Sequence, residues 1–425
     1  MITKGNDQLE RQSLFLIAGA LVGHVGNYAY HFITGRMLSE AEYGLLIALF
    51  AAVNVILLPM SAFQVSLSRA VASCSQSGKI EAIPHLLRTW FYRCSFLALG
   101  SLILAWIASP WLQSFFEVSR VAPILIAASI PGFNLLLTVT GAGLQGVQEF
   151  KGLAFRGSLL FLIRAVLVGL CLGVGFAAAG WALLAHVIGM TSALVCSVWF
   201  LKKHLSPPTE KPEHVPVLKG SLAAFPVLLG FSALMTADVI LVRAIHPEIL
   251  SGEFAQAATL GRMILWLPLP IAQVMFPKVV RKENATDSQK RTLRKALGYT
   301  CGLVGITLIG AWFAGPLIFN LLFGHVPTVD QIRWLRGVAS CMALLGPVYV
   351  VLQYELARGR VRRLLPLFAL ATVYVASALI REVSPDKLIA FLAVAAGLSL
   401  LTAARALASE TNLFCKDIKD NKDHG

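Results

Sequence analysis

Few residues in this chain stand where charge is expensive, and those few set the chemistry open to it. Arg262 lies nine residues into one long apolar run, and Arg164 lies about as deep in another. At 1.5 Å per residue, Arg262 is therefore about 13 Å from the start of its helix. A cation at that depth costs at least ~2.5–3.5 kcal/mol on insertion scales, so it needs a role or a partner. It either lines a water-filled cavity that receives an anion or pairs with a carboxylate. Arg69, at the end of its run, is a third candidate for the same cavity, with a stem long enough to reach the headgroups instead. Asp238 is the one acid well inside a run, apart from Glu355 near the end of another. Its open uses are pairing with an arginine, binding a coupling proton or sodium ion, or capping local polar groups. His24, Asn27 and His31 recur at i, i+3 and i+7, hence on one helical face. That stripe suits a wall facing water or hydrogen bonds between helices; as a metal site it lacks a third good ligand. Arg36 and Arg243, at the ends of their runs, suit either an outer gate with Glu40, Glu42, Glu248 or Glu253, or interfacial anchoring. No chemical bond is expected to be made or broken by them.

The elements that must hold these residues are membrane helices. With 57% hydrophobic and 14% charged residues and a mean hydropathy of +0.72, the chain is too apolar and too poor in charge for a water-soluble domain. About 20 apolar residues cross a bilayer, and twelve such runs lie near 13–34, 43–69, 89–109, 121–145, 153–176, 178–200, 218–242, 253–277, 297–322, 336–357, 364–380 and 387–407. Barrel strands would alternate polar with apolar, whereas these runs are apolar all round. Placing both termini in the cytoplasm puts 25 of the 36 lysines and arginines on cytoplasmic segments and seven outside, the asymmetry that orients membrane proteins. The same asymmetry explains the net charge of +14 through an anionic leaflet, and no basic run is interleaved with aromatics as a nucleic-acid groove requires. The first run is too long for the apolar region of a cleavable signal and reads as a permanent helix. Seven cysteines lack metal spacing and read as small apolar packing residues.

The chain also repeats itself. Glu42-Tyr43-Gly44 opens an apolar helix that reaches Pro59 and a basic exit at Arg69; Glu253-Phe254-Ala255 opens another that reaches Pro270 and exits at Lys278 and Arg281. Over 18 ungapped pairs only four are identical, so the shared layout carries more weight than identity. A repeat on this scale points to a transporter built of two related halves. Prolines and charges between Lys202 and Lys219 divide them. The expected organisation is an N-terminal lobe over 1–201, a cytoplasmic linker over 202–217, a C-terminal lobe over 218–407 and a cytoplasmic tail over 408–425. Pro59, Pro268 and Pro270 remove helix donors and should kink their helices. No phosphate-cradling Gly-rich loop is present, so an ion gradient, the membrane potential or the substrate's own gradient must supply energy. The outer loops are short, which counts against a glycan polymerase.

Arg36-Met37-Leu38-Ser39-Glu40-Ala41-Glu42-Tyr43-Gly44 resembles the R-x-L-S-x-x-E-Y-G loop of Wzx-type polysaccharide flippases, members of the multidrug/oligosaccharidyl-lipid/polysaccharide (MOP) exporter superfamily. Asp238 to Arg243, Gly252-Glu253-Phe254, Pro268-Leu269-Pro270, Phe276-Pro277-Lys278 and Leu144-Gln145-Gly146 are similar to later parts of that family. The resemblance implies an all-α polytopic protein of two six-helix lobes around a central cavity. Its implied task is moving a polyprenyl-diphosphate-linked oligosaccharide across the bacterial inner membrane by alternating access. The substrate, membrane lipids, H+ or Na+ and polysaccharide synthesis machinery are its expected partners, with no cofactor and no nucleic acid. Such a headgroup is anionic, which favours cavity arginines. The competing readings are a cation-coupled small-molecule exporter of the same superfamily, expected to show a compact, carboxylate-rich cavity, and a membrane-embedded polymerase or scaffold.

Overall fold

The computed structural model describes residues 2–77, 80–202, 218–266, 271–272, 275, 279, 286–379 and 383–422. Among them every regular element is helical. Fourteen α-helices follow in order: α1 (Ile2–Met37), α2 (Glu40–Gln76), α3 (Ala82–Ile107), α4 (Ser109–Phe116), α5 (Ala122–Gly146), α6 (Phe150–Gly173), α7 (Ala179–Leu201), α8 (Leu218–Ile245), α9 (Glu248–Trp266), α10 (Thr286–Phe313), α11 (Gly315–Phe323), α12 (Val329–Ala357), α13 (Pro366–Leu379) and α14 (Pro385–Lys422). In hydrocarbon a backbone group has no water to bond, so an apolar segment must satisfy its own amides and carbonyls, which the α-helix does. Ten of the helices among the described residues are long and apolar enough to cross a membrane. α1 and α9 fall on the first and eighth runs expected from the sequence. The all-helical expectation therefore holds.

Helix ends follow local chemistry. Ser39 caps α2 by accepting from the Glu42 amide, and Thr328 with Gln331 forms a reciprocal capping box at α12. α2 continues as one helix through Pro59 and runs seven residues beyond Arg69. Pro268 and Pro270 lie outside the described residues, as do most of the expected linker and the basic residues Lys278, Arg281 and Arg381. One feature absent from the sequence reading recurs in both halves: a short helix follows a long one after a single residue, α4 after α3 and α11 after α10. Each short helix ends in a left-handed residue, Glu117 at φ 50° and Gly324 at φ 81°.

The chain divides into two compact units. One holds Met1–Leu222, His246–Gly252 and Leu322–Gly324; the other holds Ala223–Ile245, Glu253–Leu321 and His325–Gly425. In the first, α6 packs between α1 and α7, while α5 packs on α2, α3 and α7. Its interior gathers Leu67, Val71, Leu87, Val139, Leu144 and Leu201. In the second, α12 packs on α10 and α14, and α13 on α14. Lipid is as apolar as leucine, so close van der Waals fit and polar contacts hold such helices together rather than exclusion of water.

Candidate functional site

Glycine decides how near the helices of the first unit come. A Cβ on Gly26 of α1 would stand 2.8 Å from the carbonyl carbon of Phe161 in α6, and one on Gly189 of α7 would stand 2.6 Å from the carbonyl oxygen of Leu160. Without side chains at these points, α6 seats itself against both neighbours and carries Arg164 into the space they leave.

Arg164 is 5% exposed, and among the described residues the groups that hold it are neutral. One terminal nitrogen donates to the Asn27 side-chain oxygen, and the other lies 2.8 Å from His186 Nδ1. The guanidinium is 4.3 Å from the centre of the Tyr30 ring and 4.8 Å from that of Phe161, contacts worth about 0.5–2 kcal/mol each. Tyr30 is fixed in turn by its hydroxyl, which donates to the Ala182 carbonyl at 3.0 Å, and Phe50 packs edge-on to His186 at 5.1 Å. Arg164 Nε is buried and has no partner, and no carboxylate of the described residues lies within ion-pair distance. A guanidinium only donates, so His186 Nδ1 must accept and the imidazole proton belongs on Nε2.

The second unit solves the same problem with opposite chemistry. Arg262 is 7% exposed and forms an ion pair with Asp238, whose side chain is fully buried. Arg262 Nε also donates to the Met235 carbonyl at 2.8 Å. Asp238 Oδ2 has no hydrogen-bond partner, and Tyr374 and Cys341 lie within its electrostatic reach. Of the two uses open to Arg262 from sequence, pairing with a carboxylate is the one its geometry presents.

The remaining candidates scatter. His31 is buried within the field of Arg164, and His24 is half-buried one turn before Asn27, so the polar stripe of α1 meets the Arg164 cluster through Asn27 and His31. Arg69 is exposed on α2. Arg36 is exposed with its guanidinium 4.8 Å over the Phe32 ring, whereas Arg243 is 2% exposed, which does not suit a side chain anchored among headgroups. Glu42, considered above as a gate partner, instead accepts from the Ala179 amide at 2.6 Å and so caps the N-terminus of α7. His186 and Tyr30 were missed: a lone histidine and a tyrosine in apolar runs give no pattern until α6 brings Arg164 to them. Among the described residues, no group of three or more His, Cys, Asp or Glu is placed to hold a metal.

None of the curated proteins matches the chain. Solved structures do, at low identity. A MATE-family multidrug resistance transporter of the MOP superfamily in an inward-facing conformation superposes with a TM-score of 0.73 at 13% identity, covering 92% of this chain and 96% of that one. The lipid II flippase MurJ in an inward closed conformation gives 0.69 at 13%, covering 93% and 87%. A MOP superfamily transporter from Pyrococcus furiosus, described as having a binding pocket of reversed polarity, gives 0.68 at 13%, covering 94% and 95%. At these identities the likeness shows a shared fold. The family model described as "Polysaccharide biosynthesis protein" matches residues 33–326, well over half of the sequence. The chain is thus a multi-pass helical membrane protein with the two-lobed, MATE-like fold of the MOP superfamily, and it belongs to the polysaccharide biosynthesis protein family.

Proposed function

We propose that this protein is a flippase that moves a polyprenyl-diphosphate-linked oligosaccharide across the bacterial inner membrane by alternating access, with both termini cytoplasmic. The observation that carries the reading is Arg164: a full positive charge, deep in the first unit, balanced by no acid among the described residues. Such a charge is stabilised only in part by an amide, an imidazole and two ring faces. A diphosphate oxygen that replaced the Asn27 amide would meet a planar fork suited to phosphate, in surroundings where the attraction is weakly screened. No bond is made or broken in this task, so the chain needs orientation and charge rather than a catalytic group. In the same scheme Arg69 makes first contact with the headgroup, the His24–His31 face of α1 lines its route, and Arg36 and Arg243 belong to the outer gate. Membership of a polysaccharide biosynthesis family supports this substrate class, and the machinery that builds and polymerises the glycan is the expected neighbour.

A second reading has its own observation. Asp238 keeps one oxygen unpartnered in a fully buried position, as a proton- or sodium-coupled exporter of small molecules requires. Liposome assays separate the two. Wild-type protein should translocate a fluorescent polyprenyl-diphosphate saccharide, and Arg164→Gln should lower the rate by at least ~10-fold, the loss of one strong charge-assisted contact. If wild type moves no such lipid but exports small cations down an imposed gradient, and Asp238→Asn stops it, the exporter reading replaces the flippase.

A further inference from the structure

Arg164 is the one cation of its cluster, but it is not the one group there that can change charge. His186 shares a hydrogen bond with it in which only one protonation state of the imidazole is admissible. Arg164 cannot accept, so the 2.8 Å contact requires a bare Nδ1 on His186. Protonating that nitrogen would set a donor against a donor and one cation against another, and the contact would break. Asn27 would then be the remaining polar tether on the guanidinium.

The surroundings leave few other groups to take this role. α7 packs on α5, α6 and α2. α5 carries no titratable side chain, and α6 carries Lys151, Arg164, Cys171 and Arg156, the last of which donates to the Leu137 carbonyl at 2.7 Å. From α2 the groups are Glu40, Glu42, Tyr43, Arg69 and Cys74, of which Glu42 is committed to the α7 N-terminus. α1 adds Tyr30, whose hydroxyl is spent on Ala182, and His31. His186 is half-buried where Arg164 is 5% exposed, and of the two only the imidazole has a nitrogen that can take up a proton.

We propose that His186 is a proton-operated latch: neutral, it holds Arg164 against Asn27 and Tyr30; protonated, it releases the guanidinium to bind the anionic headgroup. Proton binding and diphosphate binding are then positively coupled at one site, and the coupling group of the first unit is an imidazole rather than a carboxylate. This deepens the flippase reading and rests on it for the identity of the anion; the latch itself rests on the His186–Arg164 geometry.

The test uses full-length protein in nanodiscs with two readouts. Nitrogen-15 NMR of histidine rings, with the His186 signal assigned from His186→Asn, should show an Nε2–H tautomer near neutral pH that is lost in Arg164→Gln. Binding of geranylgeranyl diphosphate should strengthen in wild type by roughly tenfold between about pH 8 and about pH 5.5, the scale of a typical coupling between sites. His186→Asn, which keeps an acceptor but takes no proton, should bind weakly at both pH values. His186→Ala, which offers no acceptor, should bind more tightly than His186→Asn at both. A residue that merely fills space would not separate a variant that keeps the acceptor from one that lacks it at both pH values. An Nδ1–H tautomer, equal binding by the Asn and Ala variants, or a wild-type pH profile retained in His186→Asn would each overturn the latch. If the NMR signature is present and no variant binds the diphosphate lipid at any pH, the latch stands and the flippase reading falls.

Discussion

Arg262 and Asp238 show how a buried charge is kept when a partner is to hand. Both are withdrawn from lipid and from each other's competitors, with Arg262 Nε also bonded to the Met235 carbonyl. Removing one member of such a pair leaves the other as an uncompensated charge, which costs about 3–5 kcal/mol; replacing both by apolar groups of similar shape is often neutral. Arg262→Met alone should therefore lower the melting temperature sharply, and Arg262→Met with Asp238→Leu should recover most of the loss. A double-mutant cycle by thermal denaturation in detergent checks this, and additive losses would mean the pair carries no coupling. Depth alone gave Arg262 and Arg164 nearly the same standing in the sequence. Their difference is the neighbour: an acid for one, an amide and an imidazole for the other. No spacing rule finds these partners, because Asn27 and His186 stand 137 and 22 positions from Arg164.

The helices decide whether those neighbours are reached. α1 presents Gly19, Gly23 and Gly26 to α6, where their missing side chains would meet Ala154 and Phe161. The sequence shows glycine in abundance but not which glycines touch a neighbour's backbone, since that depends on the azimuth of each helix. Gly26 is the strictest of these near Arg164, because the atoms 2.8 and 2.9 Å from its would-be Cβ are Phe161 backbone and cannot rotate away. Gly26→Ala should push α1 from α6, cost roughly 1–3 kcal/mol as overpacking does, and weaken the Arg164–Asn27 contact. The check is a thermal melt together with the flux assay: a stable variant with wild-type flux would show that this approach does not position Arg164. Glu42 teaches the same lesson from the other side. Its place in the repeated acidic-aromatic opening was legible, but its use as the cap of α7 appeared only once residue 179 was seen beside it.

Across the whole molecule the two halves place an arginine at matching levels of their first helices. Asn27 and Tyr30 precede the bend at Leu38 by eleven and eight positions, and Met235 and Asp238 precede the bend at His246 by the same counts. Arg164 touches the first pair and Arg262 the second, although they come from non-equivalent helices, α6 and α9. This structural register is three residues short of the 211 that separates Glu42 from Glu253, so the sequence repeat does not extend back through the bend without a shift. One half thus carries an ion pair and the other an unbalanced cation, an asymmetry that fits a single anionic ligand. Asn27→Asp should give the first half the balanced chemistry of the second. The variant should fold with a melting temperature no lower than wild type, while flux of the diphosphate lipid falls by at least about tenfold as a resident carboxylate competes for Arg164. Full flux in a folded Asn27→Asp protein would remove Arg164 from the transport path.

Hydropathy by itself determined that the chain is helical and lies in a membrane, because only a self-satisfied backbone survives in hydrocarbon and a span of fixed thickness fixes its length. The layout of residues pointed to a repeat, and Arg164, Arg262 and Asp238 stood out because an ion in an apolar run is conspicuous in one dimension, whereas Arg243, at the end of its run, is buried and did not. Only the tertiary structure decided what each charge meets. Partners across helices depend on rotation and approach, which glycine contacts such as Gly26 on Phe161 and Gly189 on Leu160 set in three dimensions. For that reason Asp238 became the counter-ion of Arg262, and His186, silent in the sequence, became a hydrogen-bond neighbour of Arg164.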